Sequence, residues 1–565
     1  MWNPAQIQQQ LQKAVALAQA GRMDEAWSLL VPLRAAIDHH GEALRFFALV
    51  AQNSGHADAA IDALKRIVLV ENEPPEILGA LADTLGRAGR HADAYEHWSR
   101  LVVKQPQAID AHLNRAIAAD NAGRFDDAVK AADEGLARQS GDPRLLNARA
   151  IALTHDDRMP EAIAAYERAV AADPNRALTR YNQAVTLRMA CQFEEACAAY
   201  KEAERLGMKG AAFDSNWAAA ELEAGLVDAA ADRYRRALEA EPRQDEARKA
   251  LTRLELEFRD GAAAFDHYDR AARQTNDPAD WKEYQRALVV NKRFGEAGAI
   301  GREALSAVGE DLFILRSTLF AEGIVGDAAA SLDAMDRLPV GLRDDEMGLI
   351  ARAQLALRAH RARECVEHCL AYNAVQSTEQ TGWSLLGLAW RMLADPREQW
   401  LCDYDRLVMT IDVNPVDGST NAKVFSTSVA ASLDPLHTTQ SEPGDQSLRR
   451  GTQTSGDLFA RLDPTIQQFR LAVLAAAQKA VSKLPEDHDH PFLRRKSKKL
   501  DIRGSWSVRL QGGGGHHVPH FHGDGWMSSA YYARLPSIRN PDSHEGWIEF
   551  GRAPDMYLLD FEPRR

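Results

Sequence analysis

Ala122-Gly-Arg-Phe-Asp-Asp-Ala128 belongs to a series of seven related segments that decides the fold of the N-terminal part of this chain. Ala20-Gly-Arg-Met-Asp-Glu-Ala26 begins the series, and Ala224-Gly-Leu-Val-Asp-Ala-Ala230 ends it. The closing alanines of the segments are spaced by 34 residues each time, at Ala26, Ala60, Ala94, Ala128, Ala162, Ala196 and Ala230. A fixed period of this length predicts stacked copies of one supersecondary unit.

Each unit is predicted to contain two helices joined by a turn. A glycine or small polar residue ends the first helix, and acidic residues open the second, where they suit the positive end of its dipole. The closing alanine falls where two helices must approach closely. In several units an aromatic residue follows four positions later, on the same helix face: Trp98, Tyr166, Tyr200 and Tyr234.

This pattern resembles the tetratricopeptide repeat. The register loosens after Ala264, but helical pairs are predicted through Phe294–Ala297 and Arg363–His368 to about Arg391, roughly eleven to twelve pairs in all. Residues 1–395 are therefore predicted to form an all-α superhelix. Its concave face is expected to hold a protein or peptide. Alternatively, the repeats act only as a scaffold or pair with a second copy of the chain.

Composition narrows the class of protein. A chain of 565 residues exceeds one compact core, and its net charge of -13 argues against a general nucleic-acid binder. The basic run Arg494–Lys499 is interpreted as a solvated connector.

Five scattered cysteines, no signal peptide and no membrane-spanning run predict a cytoplasmic protein. Cys365 and Cys369, four apart on a predicted helix, are interpreted as a buried packing pair.

Residues 396–500 are predicted to bridge the repeats to a second domain. The alanine-rich rhythm ends here, and Leu433–Asp457 is polar and rich in turn residues. A loop of this length commonly covers or lines a site. Pro464–Lys483 is predicted to be a helix that packs on the outside of a β-sheet domain.

The strongest ligand signal lies near residue 520. His516, His517, His520 and His522 occur within seven residues, between predicted strands at Ser505–Leu510 and Met527–Leu535. In an extended strand, His520 and His522 point to the same side and can take adjacent positions on one metal ion. The four preceding glycines are not a phosphate-binding loop, because neither a lysine nor a helix start follows them.

Several interpretations of these histidines stay open. They could form a structural cluster without metal. A zinc site would need a matching His or Cys pair downstream, and a cupin site would need a glutamate a few residues later. An iron(II) oxygenase would join such a pair to a distant histidine and leave an open face for 2-oxoglutarate and oxygen.

A second resemblance rests on blocks of sequence in this region. The blocks are similar, in order, to those of bacterial tetratricopeptide-linked 2-oxoglutarate/iron(II)-dependent oxygenases: Trp400–Asp405, Leu436–Thr439, Asp445–Arg449, Gly451–Thr454, Gly504–Arg509, His520–Tyr532 and Gly546–Gly551. The resemblance implies a double-stranded β-helix, or jelly roll, with iron at one mouth. His520 would be the first ligand and His522 the second, with Asp524 as the substitute. Tyr532 or Arg509 would face the 2-oxoglutarate.

The chain also departs from that family. Members continue with a distal histidine and an arginine that binds the cosubstrate. In the predicted partial domain, residues 501–565, the only histidine after the cluster is His544, a poor stand-in in a polar loop. We therefore expect a partial jelly roll, in a truncated member or one completed by another subunit. The resemblance implies an oxygenase that hydroxylates a protein or peptide held by the repeats. The alternative is a non-catalytic interaction scaffold with a degenerate oxygenase domain.

Overall fold

The computed structural model describes residues 3–418, 420–437, 447–454, 456–512, 514–523, 525–535 and 544–565. The chain divides into two compact units, here called unit 1 (residues 1–188 and 195–208) and unit 2 (residues 189–194 and 209–565). Helix dominates the described part of both units. In that part, no helix is long and apolar enough to cross a membrane.

Unit 1 is built from consecutive antiparallel helix pairs, except that residues 189–194 of its last pair are assigned to unit 2. Its helices are α1 (Pro4–Gln19), α2 (Met23–Leu30), α3 (Gly41–Asn53), α4 (Ala57–Val70), α5 (Pro75–Arg87), α6 (His91–Lys104), α7 (Ile109–Asn121), α8 (Phe125–Leu136), α9 (Pro143–His155), α10 (Met159–Ala172), α11 (Ala177–Met189) and α12 (Phe193–Arg205). The odd-numbered helices are the first helices of the repeats, and the even-numbered ones are the second.

Unit 2 continues with helix pairs as far as α24 and then becomes irregular. Its helices are α13 (Ala211–Glu223), α14 (Val227–Ala240), α15 (Asp245–Phe258), α16 (Asp266–Thr275), α17 (Pro278–Val290), α18 (Phe294–Val308), α19 (Leu312–Val325), α20 (Ala328–Met335), α21 (Val340–Arg343), α22 (Glu346–Arg358), α23 (Ala362–Val375), α24 (Gln380–Met392), α25 (Arg397–Leu401), α26 (Tyr404–Leu407), α27 (Ala422–Leu433) and α28 (Pro464–Lys483). Its strands are β1 (Leu448–Arg449), β2 (Gly451–Gln453), β3 (Val508–Leu510) and β4 (His516–His517).

The predicted turn within each repeat is confirmed by its backbone geometry. One residue per repeat, five positions before the closing alanine, has a φ between 57° and 79°: Gly21, Gly55, Gly89, Gly123, Asp157, Cys191 and Gly225. Glycine adopts this left-handed conformation without the steric cost of a Cβ atom. Lys292 and His360 adopt it as well, five residues before Ala297 and Cys365. The repeat geometry therefore persists where the sequence register loosens.

The closing alanines are confirmed as close-approach positions. All seven are at most 1% exposed, and Ala297 and Cys365, which take the same position in later repeats, are fully buried. Tyr166, Tyr200 and Tyr234 are buried four residues further on. Because protein interiors are packed to crystal-like density, a larger side chain at the alanine position would push two helices apart.

Two further predictions concern single side chains in unit 2. The packing pair is confirmed, since Cys365 and Cys369 are fully buried with their Sγ atoms 3.8 Å apart.

The basic run Arg494–Lys499 is not simply solvated. The guanidinium groups of Arg494 and Arg495 donate to the carbonyl oxygens of Ser377 (2.8 Å) and Thr378 (3.1 Å). These bonds fasten the run to the loop that follows α23.

The helix predicted at Pro464–Lys483 is present with those bounds as α28. Asp463 caps it by accepting a hydrogen bond from the backbone N–H of Ile466 (3.0 Å). Its apolar face packs on α27, where the rings of Phe469 and Phe425 lie 6.4 Å apart. Tyr531 covers the same ring of Phe469 at 4.7 Å. The core of this region is therefore helix on helix.

The jelly roll is not found in the described part of residues 396–565. There, the strands form two separate two-stranded antiparallel sheets, β1 with β4 and β2 with β3. The strand predicted at Met527–Leu535 is wrong, because these residues have no regular structure. Glycines at 512, 514 and 515 interrupt one side of β4. Pro519, which cannot donate to a ladder, follows on the other side.

Candidate functional site

The four histidines are positioned by the β1–β4 pair and the turn after it. Leu448 pairs with His517, and Arg449 with His516. The next residue, Val518, donates from its backbone N–H to the carbonyl of Ser447 (2.8 Å). Beyond Pro519 no strand is assigned, so the extended strand predicted at His520 and His522 is not found. The turn nevertheless brings their rings together.

Three imidazoles, here called the histidine cluster (His517, His520 and His522), lie side by side. Ring centroids are 5.8 Å apart for His517 and His520, and 5.1 Å apart for His520 and His522. The Ser447 hydroxyl lies 2.9 Å from Nδ1 of His517 and 3.4 Å from Nε2 of His520. Asp524, the substitute ligand, falls outside the described residues. Within those residues, no group of three or more His, Cys, Asp or Glu side chains could hold a metal ion.

The environment favours the neutral form of His517 and of His522. Partial burial lowers the pKa of His517 and of His522, and the neighbouring imidazoles lower both further. In His520, Nδ1 lies 2.8 Å from the carbonyl oxygen of Val518. Since a carbonyl only accepts, Nδ1 carries the proton, and Nε2 presents its lone pair. Nε2 of His520 is thus an acceptor, and the Ser447 hydroxyl lies 3.4 Å from it.

The two residues predicted to face 2-oxoglutarate do not join this cluster. Arg509 pairs with Thr452 in the β2–β3 sheet and donates from Nη2 to the Asp434 backbone carbonyl (2.6 Å) and carboxylate (3.3 Å). Tyr532 is about half exposed. In the described part of the chain, neither side chain makes a hydrogen bond or ring contact with the three imidazoles. Arg509 is therefore engaged by a carboxylate of its own chain.

Sequence reasoning missed a stripe of side chains on the first helices of unit 1. At the 34-residue spacing, α1, α3, α7, α9 and α11 each carry one aliphatic residue that is exposed or half-buried, and α5 carries Asp83. We call this set the first-helix stripe: Val15, Leu49, Ile117, Ile151 and Val185, interrupted by Asp83. Leu49 and Ile117 are 52% and 45% exposed. Comparing the first helices at the same 34-residue period would have revealed it.

A polar row runs beside the stripe, four residues further along α3, α5, α7 and α9, whereas α11 carries the exposed Met189 at that position. Its members are exposed and can donate or accept hydrogen bonds: Asn53, Arg87, Asn121 and His155. His155 is oriented by Asp120, whose carboxylate lies 2.8 Å from Nδ1. An aliphatic stripe beside a row of hydrogen-bonding groups is the combination that a bound peptide requires, since it offers apolar side chains and a polar backbone.

Comparison with known proteins supports the repeat architecture. The tetratricopeptide-repeat family model matches residues 79–143, 113–177 and 160–211. No curated protein matches this chain.

Three solved structures illustrate the similarity to repeat proteins. A tetratricopeptide-repeat protein from Parabacteroides merdae is 14% identical over 44% of this chain and 98% of its own, with a TM-score of 0.36. A thermophilic repeat protein from Thermus thermophilus is 20% identical over 32% of this chain and 100% of its own (TM-score 0.29). A MamA fragment from Desulfovibrio magneticus is 17% identical over 29% of this chain and 94% of its own (TM-score 0.27).

The family match and the observed geometry agree on the repeats. The matched residues span α5 to the start of α13, where each pair has a left-handed turn and a buried closing alanine. The same turn and the same buried position occur in the pairs before and after. Residues 79–211 are tetratricopeptide repeats, and helix pairs of the same geometry flank them on both sides.

Proposed function

We propose that this protein is an interaction scaffold that binds a protein or peptide along the first helices of unit 1. The observation that supports the proposal is the first-helix stripe, which repeats every 34 residues and is exposed at Val15, Leu49 and Ile117. In α3 and α7 the stripe residue is an exposed large aliphatic side chain, whereas α11 also exposes Leu178 and Met189. Covering such a stripe stabilises a complex by roughly 25 cal/mol for each Å² of apolar surface removed from water.

The partner's chemistry follows from the same surface. A segment bound here should place aliphatic or aromatic side chains on the stripe. Its backbone or polar side chains should face the amide and imidazole groups of the polar row. The single charge within the stripe, Asp83, is paired with Arg87 of its own helix. It therefore supplies no strong preference for a basic partner.

The test selects peptides from a displayed random library against the wild-type chain and measures their affinity for two variants. Ile117→Asp places a charge in the middle of the stripe, whereas Val103→Asp changes an 82% exposed valine on the second helix α6. Covering an unpaired carboxylate with apolar groups should weaken binding at least tenfold, about 1.4 kcal/mol. Equal binding to both variants would contradict the proposal.

A second candidate function is suggested by the histidine cluster. His520 and His522 would hold iron(II), which with 2-oxoglutarate would supply oxygen-activating chemistry. The lone pair at Nε2 of His520 and the lowered pKa of His522 fit ligation by neutral imidazoles. Arg509 does not fit as the partner of the cosubstrate, because its guanidinium is engaged by Asp434.

The second candidate is tested by incubating the purified chain with iron(II) and 2-oxoglutarate and measuring succinate. The oxygenase hypothesis predicts succinate from the wild-type chain and none from His520→Ala. Retained metal without succinate would indicate a metal-binding module that does not turn over 2-oxoglutarate. If the wild-type chain produced no succinate and held no more metal than His520→Ala, this candidate function would be rejected.

A further inference from the structure

A loop near residue 557 is closed on itself and lies on the repeats of unit 2. Phe550 and Arg564 exchange two backbone hydrogen bonds, of 2.8 and 2.9 Å, which join the two ends of the loop. Its tip is a single turn of 3-10 helix at Asp555–Tyr557. Compact loops whose ends meet in this way are often functional. We call residues 550–564 the Ω-loop.

One aromatic side chain anchors the Ω-loop. Tyr557 is 4% exposed and belongs to an apolar cluster with Ile324 of α19, Leu357 of α22 and the two cysteines of α23. Burial raises the pKa of Tyr557, and the nearby thiols raise it further. Burying a tyrosine removes a large apolar area from water and therefore stabilises the docked loop.

Two arginines hold the backbone of the loop. Arg391 donates from Nη1 to the Gly551 carbonyl (2.8 Å) and from Nη2 to the Glu562 carbonyl (2.6 Å), which fastens both sides of the loop at once. Arg358 donates to the carbonyl of Met556 at the tip. Both guanidinium groups donate to main-chain carbonyl oxygens, which every peptide contains. Other side chains of the loop contribute as well, since Met556 and Leu559 pack on the same cluster and the Arg391 guanidinium lies 4.6 Å from the Phe561 ring centroid.

The contact occurs at a defined position of the repeat. Arg358 precedes the left-handed residue His360 by two positions, as Asn53 of the polar row precedes Gly55 in unit 1. Ile324 and Met392 stand 34 residues before and after Arg358, and both belong to the cluster around Tyr557. The Ω-loop thus lies on the ends of three successive first helices.

We propose that the Ω-loop is an internal ligand. The ends of α19, α22 and α24 form a site for a segment that offers a tyrosine to bury and free backbone carbonyls, and the loop fills that site until such a segment displaces it. This inference rests on unit 2 alone. It does not depend on the function proposed for unit 1.

The test uses the full chain and a fluorescent synthetic peptide of residues 548–565. A tethered loop competes at an effective concentration of about 1 mM. The peptide should therefore bind the Tyr557→Ala chain at least tenfold more tightly than the wild type. Adding Arg391→Ala, or using a peptide with Tyr557→Ala, should abolish that gain. A folded Tyr557→Ala chain with no gain in binding would overturn the proposal.

A second measurement applies if Tyr557→Ala unfolds. The Arg358→Ala/Arg391→Ala chain removes the backbone clamps and leaves the tyrosine in place. Hydrogen exchange of residues 551–562 should then be at least tenfold faster than in the wild type, with α22 and α24 unchanged. Unaltered exchange in the loop would overturn the proposal, because the arginines would then not hold it.

Discussion

Gly301, in the second helix α18, tests how tightly the repeats of unit 2 interlock. A Cβ atom added there would collide with the side-chain amide of Gln285 and the hydroxyl of Thr318, and would lie 3.0 Å from Cβ of Thr318. Both neighbours are buried, and Gln285 donates to the Thr318 hydroxyl (2.9 Å) and to the Ala297 carbonyl (3.2 Å). Alanine at 301 must therefore displace a buried hydrogen-bonded pair.

The magnitude follows from three terms. Overpacking costs about 1–3 kcal/mol. A buried polar group that loses its partner costs about 1–3 kcal/mol more. Replacing glycine by alanine within a helix stabilises the folded chain by about 0.5–1 kcal/mol, which offsets part of this cost. Gly301→Ala should therefore lower the free energy of unfolding by about 1–5 kcal/mol.

The control lies in the same helix. No atom comes within 4 Å of a Cβ atom added at Gly295. Gly295→Ala should therefore leave stability unchanged or raise it by up to about 1 kcal/mol. Urea unfolding followed by circular dichroism compares the two variants with the wild type. If Gly301→Ala were as stable as Gly295→Ala, the close packing inferred between these helices would be refuted.

Three further predictions concern other buried positions. Ala128→Leu should lower the free energy of unfolding by about 1–3 kcal/mol, because the alanine is buried between helices, whereas exposed Ala137→Leu should not. Burial lowers the pKa of His368 from 6.5 to about 4. The stabilisation that depends on the neutral ring should therefore be complete above pH 6.5 and be lost as the pH falls towards 4, by up to about 3 kcal/mol. Urea titrations should show a steeper loss of stability for the wild type than for His368→Gln. Cys365 and Cys369 should react with a thiol reagent only on unfolding, since both are buried and the pKa of Cys369 is raised; rapid labelling of either in the folded chain would contradict this.

The repeat architecture could be predicted because its signals are local. A turn residue, acidic residues and a small residue recur at fixed offsets, and each acts within one helix pair. The structure adds Lys292 and His360, which take the left-handed turn without glycine. Nothing in their residue type predicts this conformation. The packing of the flanking helices imposes it, so later repeats are harder to recognise from sequence.

The β-rich region shows the opposite case. Short strands depend on partners far along the chain: β3 pairs with β2, more than fifty residues earlier. Alternating side chains reveal a strand but not its partner. The proximity of His517, His520 and His522 was predictable because they lie within six residues. The engagement of Arg509 by Asp434, from a distant segment, was not.

The most direct measurement of the central claim is photocrosslinking from the first-helix stripe. A photoreactive phenylalanine is placed at Ile117 in one chain and at Val103 in another, and each is irradiated with a peptide selected on the wild-type chain. Peptide binding along the first helices of unit 1 predicts crosslinked peptide from position 117 and none from position 103. Crosslinking from position 103 alone would contradict the account.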